Sequence, residues 1–325
     1  MFAFLRRSFS ALAFAAFAIY PTLAIAGDYP EKPVRVIVPF APGGPADVLA
    51  RLIAEKLSLK LGQQFYVENQ PGAGGNIGMA AGAHANPDGY TITVVGPSFV
   101  VNPSLFAKIP YDPFKDFSPV TLAAVSANVL VVHPSIAAKT VKELITFLKA
   151  NPAKHSFAHP GIGTTAQLAG EMFRRAQGAD IVPVSFNGSA PAIQSALGGH
   201  TGLAFTVITP AIPYVKAGTL RGLAVTTTKR SSALPDVPTM TEAGFPDQDS
   251  DTLLGVLVPA RTPELVIAKL HQEIAGAVRQ LNDEGKMAAL GFEPVVNLPN
   301  EFAARIKADI TKWARVIEDA HIKAP

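Results

Sequence analysis

The chain has 325 residues, 48% of them hydrophobic and 16% charged, with a formal net charge of only +3. That length supports two domains with proper cores, and so small and scattered a charge excludes a nucleic-acid or other polyanion partner, which needs a concentrated basic stripe. No cysteine occurs, which rules out a disulfide scaffold, a thiolate metal ligand, a cysteine nucleophile and a lipid anchor on cysteine.

The first residues read as an export signal. Arg6 and Arg7 form a positive region, Ala11 to Tyr20 an apolar one, and Ala24-Ile25-Ala26 a small-x-small cleavage site ahead of Gly27. The apolar run is shorter than the roughly 20 residues a membrane span requires. Residues 1–26 are therefore expected to be cleaved, and loss of Arg6 and Arg7 takes the net charge of +3 to about +1. Arg6-Arg7-Ser8-Phe9 leaves the general and twin-arginine routes both open.

Short apolar runs then alternate with helical patterns. Strands are predicted at Val34 to Pro39, Phe65 to Glu68, Thr91 to Val95, Val129 to Val132, His155 to Ala158, Ile181 to Phe186, Gly202 to Val207, Leu220 to Thr226 and Leu254 to Val258. Many are runs of Val, Ile or Leu without alternation, as in strands covered on both faces. Thr140 and Glu143 have capping-box spacing ahead of Leu144, and Thr262-Pro263 reads as an N-cap followed by Pro at the first helical position. Phe302, Ile306, Ile310, Trp313 and Ile317 mark an amphipathic closing helix. This βα alternation predicts mostly parallel sheets flanked by helices. One sheet holding every strand would be unusually wide. Two lobes are expected instead, 27–127 with 252–325 and 128–251, joined by segments drawn from Asn128 to His133 and Leu253 to Val258. The result is a hinge and a cleft.

Chemistry concentrates in glycine-rich turns after strands. In Phe40-Ala41-Pro42-Gly43-Gly44-Pro45-Ala46-Asp47, two glycines allow close backbone approach, and Pro45 suits a first helical turn whose free N–H groups attract a carboxylate or phosphate. Asp47 is read chiefly as an acceptor for that turn's own N–H groups, with ligand contact left open. Gly72-Ala73-Gly74-Gly75-Asn76-Ile77-Gly78 follows the second strand and would line the same crevice. It lacks the Lys-Ser/Thr of a phosphate-gripping loop. Gly161-Ile162-Gly163-Thr164-Thr165-Ala166 fits a relaxed dinucleotide pattern, but Asp180 precedes the next strand instead of ending it. It reads as a third helix start, with His159 beside it, and Asn187-Gly188-Ser189 as a fourth.

No catalytic set assembles. The seven histidines show no metalloprotease spacing, there is no Gly-x-Ser-x-Gly elbow, and Pro160 argues against a helical His155–His159 metal pair. Neither a cofactor nor a metal is expected. An enzyme, such as a hydrolase using the same cleft, is the reading these residues favour less, and a receptor feeding a membrane sensor stays open.

Several stretches together resemble the Bug-type receptors of tripartite tricarboxylate transport systems. They are Tyr29-Pro30 through Gly44 with Asp47 and Ala50-Arg51, then Glu68-Asn69 through Gly78, Pro87-Asp88-Gly89-Tyr90-Thr91, Gly188-Ser189-Ala190-Pro191-Ala192, and Leu234-Pro235-Asp236-Val237-Pro238-Thr239. The resemblance covers essentially the whole chain after the signal. It implies a type II periplasmic-binding-protein fold of Venus-flytrap form, a monomer in the periplasm, no enzyme activity and membrane transport subunits as partners. It also implies a small carboxylate held largely by backbone N–H groups. Carried over residue by residue, it nominates Phe40, Ala41, Pro42, Gly43, Gly44, Gly74, Gly75, Asn76 and Ser98 on the first lobe. On the second it nominates Gly161, Gly163, Thr164, Thr165, Asn187, Gly188, Ser189 and Phe205. Departures bear on the ligand. Phe186-Asn187-Gly188 stands where relatives commonly have Tyr-Lys-Gly, Gly202 stands for an acid, and Leu253-Leu254-Gly255 for Trp-Tyr-Gly. A more apolar cleft follows, suited to a simple or aromatic carboxylate rather than an amino acid.

Overall fold

The computed structural model describes residues 29–152, 154–246, 248, 250–319 and 322; the expected signal segment and its cleavage site lie outside the described residues. The first half-chain runs β1 (Val34–Val38), α1 (Pro45–Leu61), β2 (Phe65–Asn69), a single 3-10 turn (Ala73–Gly75), α2 (Asn76–Ala83), β3 (Thr91–Val95), α3 (Ser98–Leu105) and β4 (Phe117–Val132). Next come α4 (Val141–Ala150), β5 (His155–His159), α5 (Thr165–Ala176), β6 (Ile181–Ser185), α6 (Ser189–Leu197), β7 (Leu203–Val207), α7 (Ile208–Lys216) and β8 (Arg221–Val225). The chain closes with β9 (Asp251–Pro259), α8 (Glu264–Asp283), α9 (Lys286–Ala289), β10 (Phe292–Pro294) and α10 (Pro299–Asp319).

The sheets are mixed. β1 pairs in parallel with β2 and β3, and β5 with β6 and β7, whereas pairing with β4 and β9 is antiparallel. The reason is β4. Its 16 residues form one strand shared by both sheets. Phe117 to Ala127 pair with β9, and Asn128 to Val132 pair with β7. A strand that leaves one sheet to enter another meets its neighbours in whichever direction it arrives. Sequence reading found only Val129 to Val132, because Ser118, Pro119 and Thr121 interrupt the apolar run. β9 pairs with β3 and the first part of β4 from Asp251 onward, so the return passage precedes Asp251 rather than using Leu253 to Val258.

Each lobe packs helices on both faces of its sheet, giving four buried clusters among the described residues. In the first lobe, Leu49, Ile53 and Leu57 of α1 meet Ile274 and Val278 of α8 over β1 and β3, while Phe302, Ile306 and Trp313 of α10 join Phe99 of α3 on the other face. At about 25 cal/mol per Å² of apolar area removed from water, such burial dominates the folding free energy. Leu144 and Phe173 sit on one face of the second sheet, Ile193 and Ile212 on the other. Thr140 caps α4, its Oγ1 accepting from Glu143 N at 3.1 Å. Thr262 does not cap α8. Pro263 holds the N-cap position, and the Thr262 hydroxyl donates to Pro259 O at 2.7 Å. No helix among the described residues is long and apolar enough to cross a membrane.

Candidate functional site

Both lobes send glycine-led helix starts to one cleft. Gly44 is the N-cap of α1 and Gly188 that of α6, and neither helix has a side-chain capping hydrogen bond. A helix start leaves its first N–H groups without intrahelical partners. Pro45 removes one at α1 and leaves those of Ala46 and Asp47; at α6, Ser189 and Ala190 keep theirs ahead of Pro191. α5 differs, since Thr164 Oγ1 accepts from Gln167 N at 3.2 Å.

These starts surround a cavity of about 40 Å³ lined by Phe40, Ala41, Gly44 to Asp47, Gly96, Pro97, Pro160, Thr164, Thr165, Gly188, Ser189, Val207, Thr252 and Leu254. A second, of about 180 Å³, is lined by Phe40, Pro71 to Gly75, Pro160 to Ile162 and Ser185 to Asn187. Among the described residues, no Lys, Arg or His lines either. Asp47 is the only charged residue, and it is already engaged. Its carboxylate accepts from Gly43 N at 2.9 Å, Asn69 Nδ2 at 2.9 Å and Arg51 Nε at 3.1 Å. Burial pushes this carboxyl up, but the hydrogen bonds from Arg51, Gly43 and Asn69 outweigh it and hold the pKa below the ordinary value.

The lobes touch across the cleft. A Cβ on Gly43 would lie 3.5 Å from Ala190 Cβ, and one on Gly188 3.6 Å from Ala41 Cβ. Ser98 Oγ donates to Gly163 O at 3.2 Å. Behind the cavity, Asn128 Nδ2 donates to Thr165 Oγ1 at 3.1 Å and Ser250 Oγ at 3.2 Å, and Asn128 Oδ1 accepts from Thr252 Oγ1 at 3.0 Å. This buried cluster ties the cavity wall to β4 where its pairing changes sheet and to the start of β9.

Of the residues nominated from sequence, Phe40, Ala41, Gly44, Asp47, Thr164, Thr165, Gly188 and Ser189 line the smaller cavity, and Gly74, Gly75, Gly161 and Asn187 the larger. The rest line neither. Pro42 and Gly43 are exposed. Asn76 is occupied within its lobe, its Oδ1 accepting from Asn102 Nδ2 at 2.8 Å and Tyr111 Oη at 3.2 Å. Ser98 and Gly163 face each other in the interlobe clasp. Phe205 is fully buried in the second lobe's core, its ring 5.7 Å from Phe157 and 5.5 Å from Phe173; along β7 it is Val207 that reaches the cavity. His159 lies beneath the loop, 2% exposed, and burial drives its pKa down to about 4. Gly96, Pro97 and Thr252 were missed, because an isolated Gly-Pro turn and a threonine opening an apolar strand carry no signal of their own. Leu254, flagged only as a departure, is a wall residue.

Two lobes around a cleft lined by no cationic side chain among the described residues have the form of a solute receptor. The family model for "Tripartite tricarboxylate transporter family receptor" matches residues 49–322, and the chain belongs to that family, whose members are receptors rather than enzymes. It is 35% identical to protein BugT of Bordetella pertussis over 92% of each chain. Among solved structures it superposes on periplasmic binding protein BugD with a TM-score of 0.86 at 34% identity, covering 91% of this chain and 99% of that one. It superposes on R. palustris Rpa4515 with adipate at 0.88 and 32% identity, with the same coverage. The fold is the two-lobed one of periplasmic binding proteins.

Proposed function

We propose that this protein is a periplasmic receptor that captures a small carboxylate in the interlobe cleft and delivers it, as a monomer, to the membrane subunits of a tripartite tricarboxylate-type transporter. The observation that carries the reading is the pair of glycine-led helix starts without a side-chain capping hydrogen bond, α1 and α6, opening from opposite lobes into a cavity lined by no cationic side chain among the described residues. Such starts carry partial positive charge and unpaired donors. In a site shut off from water, hydrogen bonds to an ionised carboxylate are short and strong. The neighbour solved with adipate supports the ligand class.

The lobes are proposed as 27–127 with 252–325 and 128–251, after cleavage near Ala26. Phe40, Ala41, Gly44, Thr164, Thr165, Gly188 and Ser189 are proposed as the ligand's immediate surroundings. Because the ligand bridges α1 and α6, it favours the shut form over the open one, and that difference drives closure. Asp47 has no spare acceptor for an ammonium group, and Val207 and Leu254 make the wall apolar, so a simple acid fits better than an amino acid. Thermal melting against mono-, di- and tricarboxylates, aromatic acids and amino acids tests this. A ligand at one hundred times its Kd stabilises by about 2.7 kcal/mol. An upward shift with an acid, without consumption of that acid, is expected. Stabilisation by amino acids alone, or turnover of the compound, would contradict the proposal.

A further inference from the structure

The cleft is divided into two compartments, and Phe40 with Pro160 forms the divider. Phe40 and Pro160 are the two residues common to both cavity linings. A Cβ on Gly75 would lie 3.2 Å from Phe40 Cε2, and one on Gly161 3.9 Å from Phe40 Cε1. The ring is thus wedged between the second loop of the first lobe and the third loop of the other. Gly75, at φ 93, supplies both a backbone conformation and a space that other residues cannot. Behind the ring the backbone is pinned, since Phe40 O accepts from Asn69 Nδ2 at 2.9 Å.

The two compartments differ in kind. The inner one, about 40 Å³, holds the helix starts of α1 and α6 and an apolar wall. At roughly 10–15 Å³ of such space per water molecule, it has room for a carboxylate with a few carbons. The outer one, about 180 Å³, is lined beyond Phe40 and Pro160 by the loops Pro71 to Gly75, Gly161 to Ile162 and Ser185 to Asn187.

We infer that Phe40 sets the chain length of the ligand. This rests on the carboxylate-receptor reading and adds a residue that determines specificity. With the ring in place, the inner chamber accepts acids of about two to four carbons, a size set by the chamber's space for a few waters. Without it, the chambers join into one channel. A linear diacid then runs from the α1 and α6 starts to the loop at Gly74 and Gly75. One methylene too many or too few in a hydrophobic pocket changes selectivity about 10–200-fold, so the effect is large enough to read.

The test is calorimetry on the exported form with linear mono- and diacids of two to eight carbons, for wild type, Phe40→Ala and Phe40→Leu. Wild type is expected to bind acids of four carbons or fewer at least about tenfold more tightly than those of six or more. Phe40→Ala is expected to reverse that ratio, with Phe40→Leu between them. Phe40→Leu keeps most of the apolar volume, so it decides the matter if Phe40→Ala melts early. A wild-type length profile retained in the folded variants would overturn the role of Phe40 while leaving the receptor reading intact. So would a wild type that prefers the longer acids. Failure of wild type to bind any acid would remove both.

Discussion

Replacing Gly44 with Val separates binding from folding. Gly44 sits at φ −82 and ψ 168, a conformation open to any residue. A Cβ there meets only Ala41 O, at 3.9 Å. Because Gly44 is itself buried, the open space beside it is the cavity and not bulk water. Val would place three carbons in a chamber of about 40 Å³, displacing the carboxylate from the α1 start. Loss of two charge-assisted hydrogen bonds, at about 1.5–3 kcal/mol each, weakens binding by roughly 10²–10⁴-fold. Val is a poorer N-cap than Gly, so the ligand-free melting temperature should fall only slightly. Calorimetry of the two proteins with the same acid checks the first figure and a melting curve the second. An unchanged Kd in a folded Gly44→Val protein would refute the placement of the anion beside α1.

Two further outcomes follow from the buried polar groups. Asn128→Ala strips partners from Thr165, Ser250 and Thr252 where the lobes join; at about 1–3 kcal/mol per unsatisfied buried group, the melting temperature should drop by several degrees, and no drop would show that the network contributes nothing. His159 is ordinarily protonated near pH 6.5 but is held neutral in the fold down to about pH 4. The unfolded chain therefore takes up the proton first. Stability present above about pH 6.5 is lost as the pH falls toward about 4, by about 3 kcal/mol in all. Phe at position 159 should flatten denaturant-derived stability across that window, and an identical slope in the variant would contradict the assignment.

Much of the fold was legible because its strands are short and doubly covered. Val34 to Val38 and Thr91 to Val95 are short runs rich in Val and Ile, broken only by Arg35, Thr91 and Thr93, and no competing structure suits them. β4 was legible only at its end, because a strand serving two sheets changes neighbours midway and its residues follow no single pattern. The cleft lining was legible at its glycine turns, as at Gly44, Gly74 and Gly188. It was not legible where a side chain's direction depends on tertiary packing. Phe205 and Val207 lie two apart on one strand, yet Phe205 is drawn into an aromatic cluster with Phe157 and Phe173 while Val207 closes the chamber. Asn76 was nominated as a ligand contact because it stands in the glycine-rich stretch from Glu68 to Gly78 that resembles the receptor family. Its amide instead serves Asn102 and Tyr111, a partnership no local pattern announces.

A crystal structure with the bound acid tests the central claim most directly. The account places one carboxylate within hydrogen-bonding distance of backbone N–H groups at Ala46, Asp47 and Ser189, with no Lys, Arg or His side chain touching it. A carboxylate gripped by a cationic side chain, or seated away from the starts of α1 and α6, would contradict it.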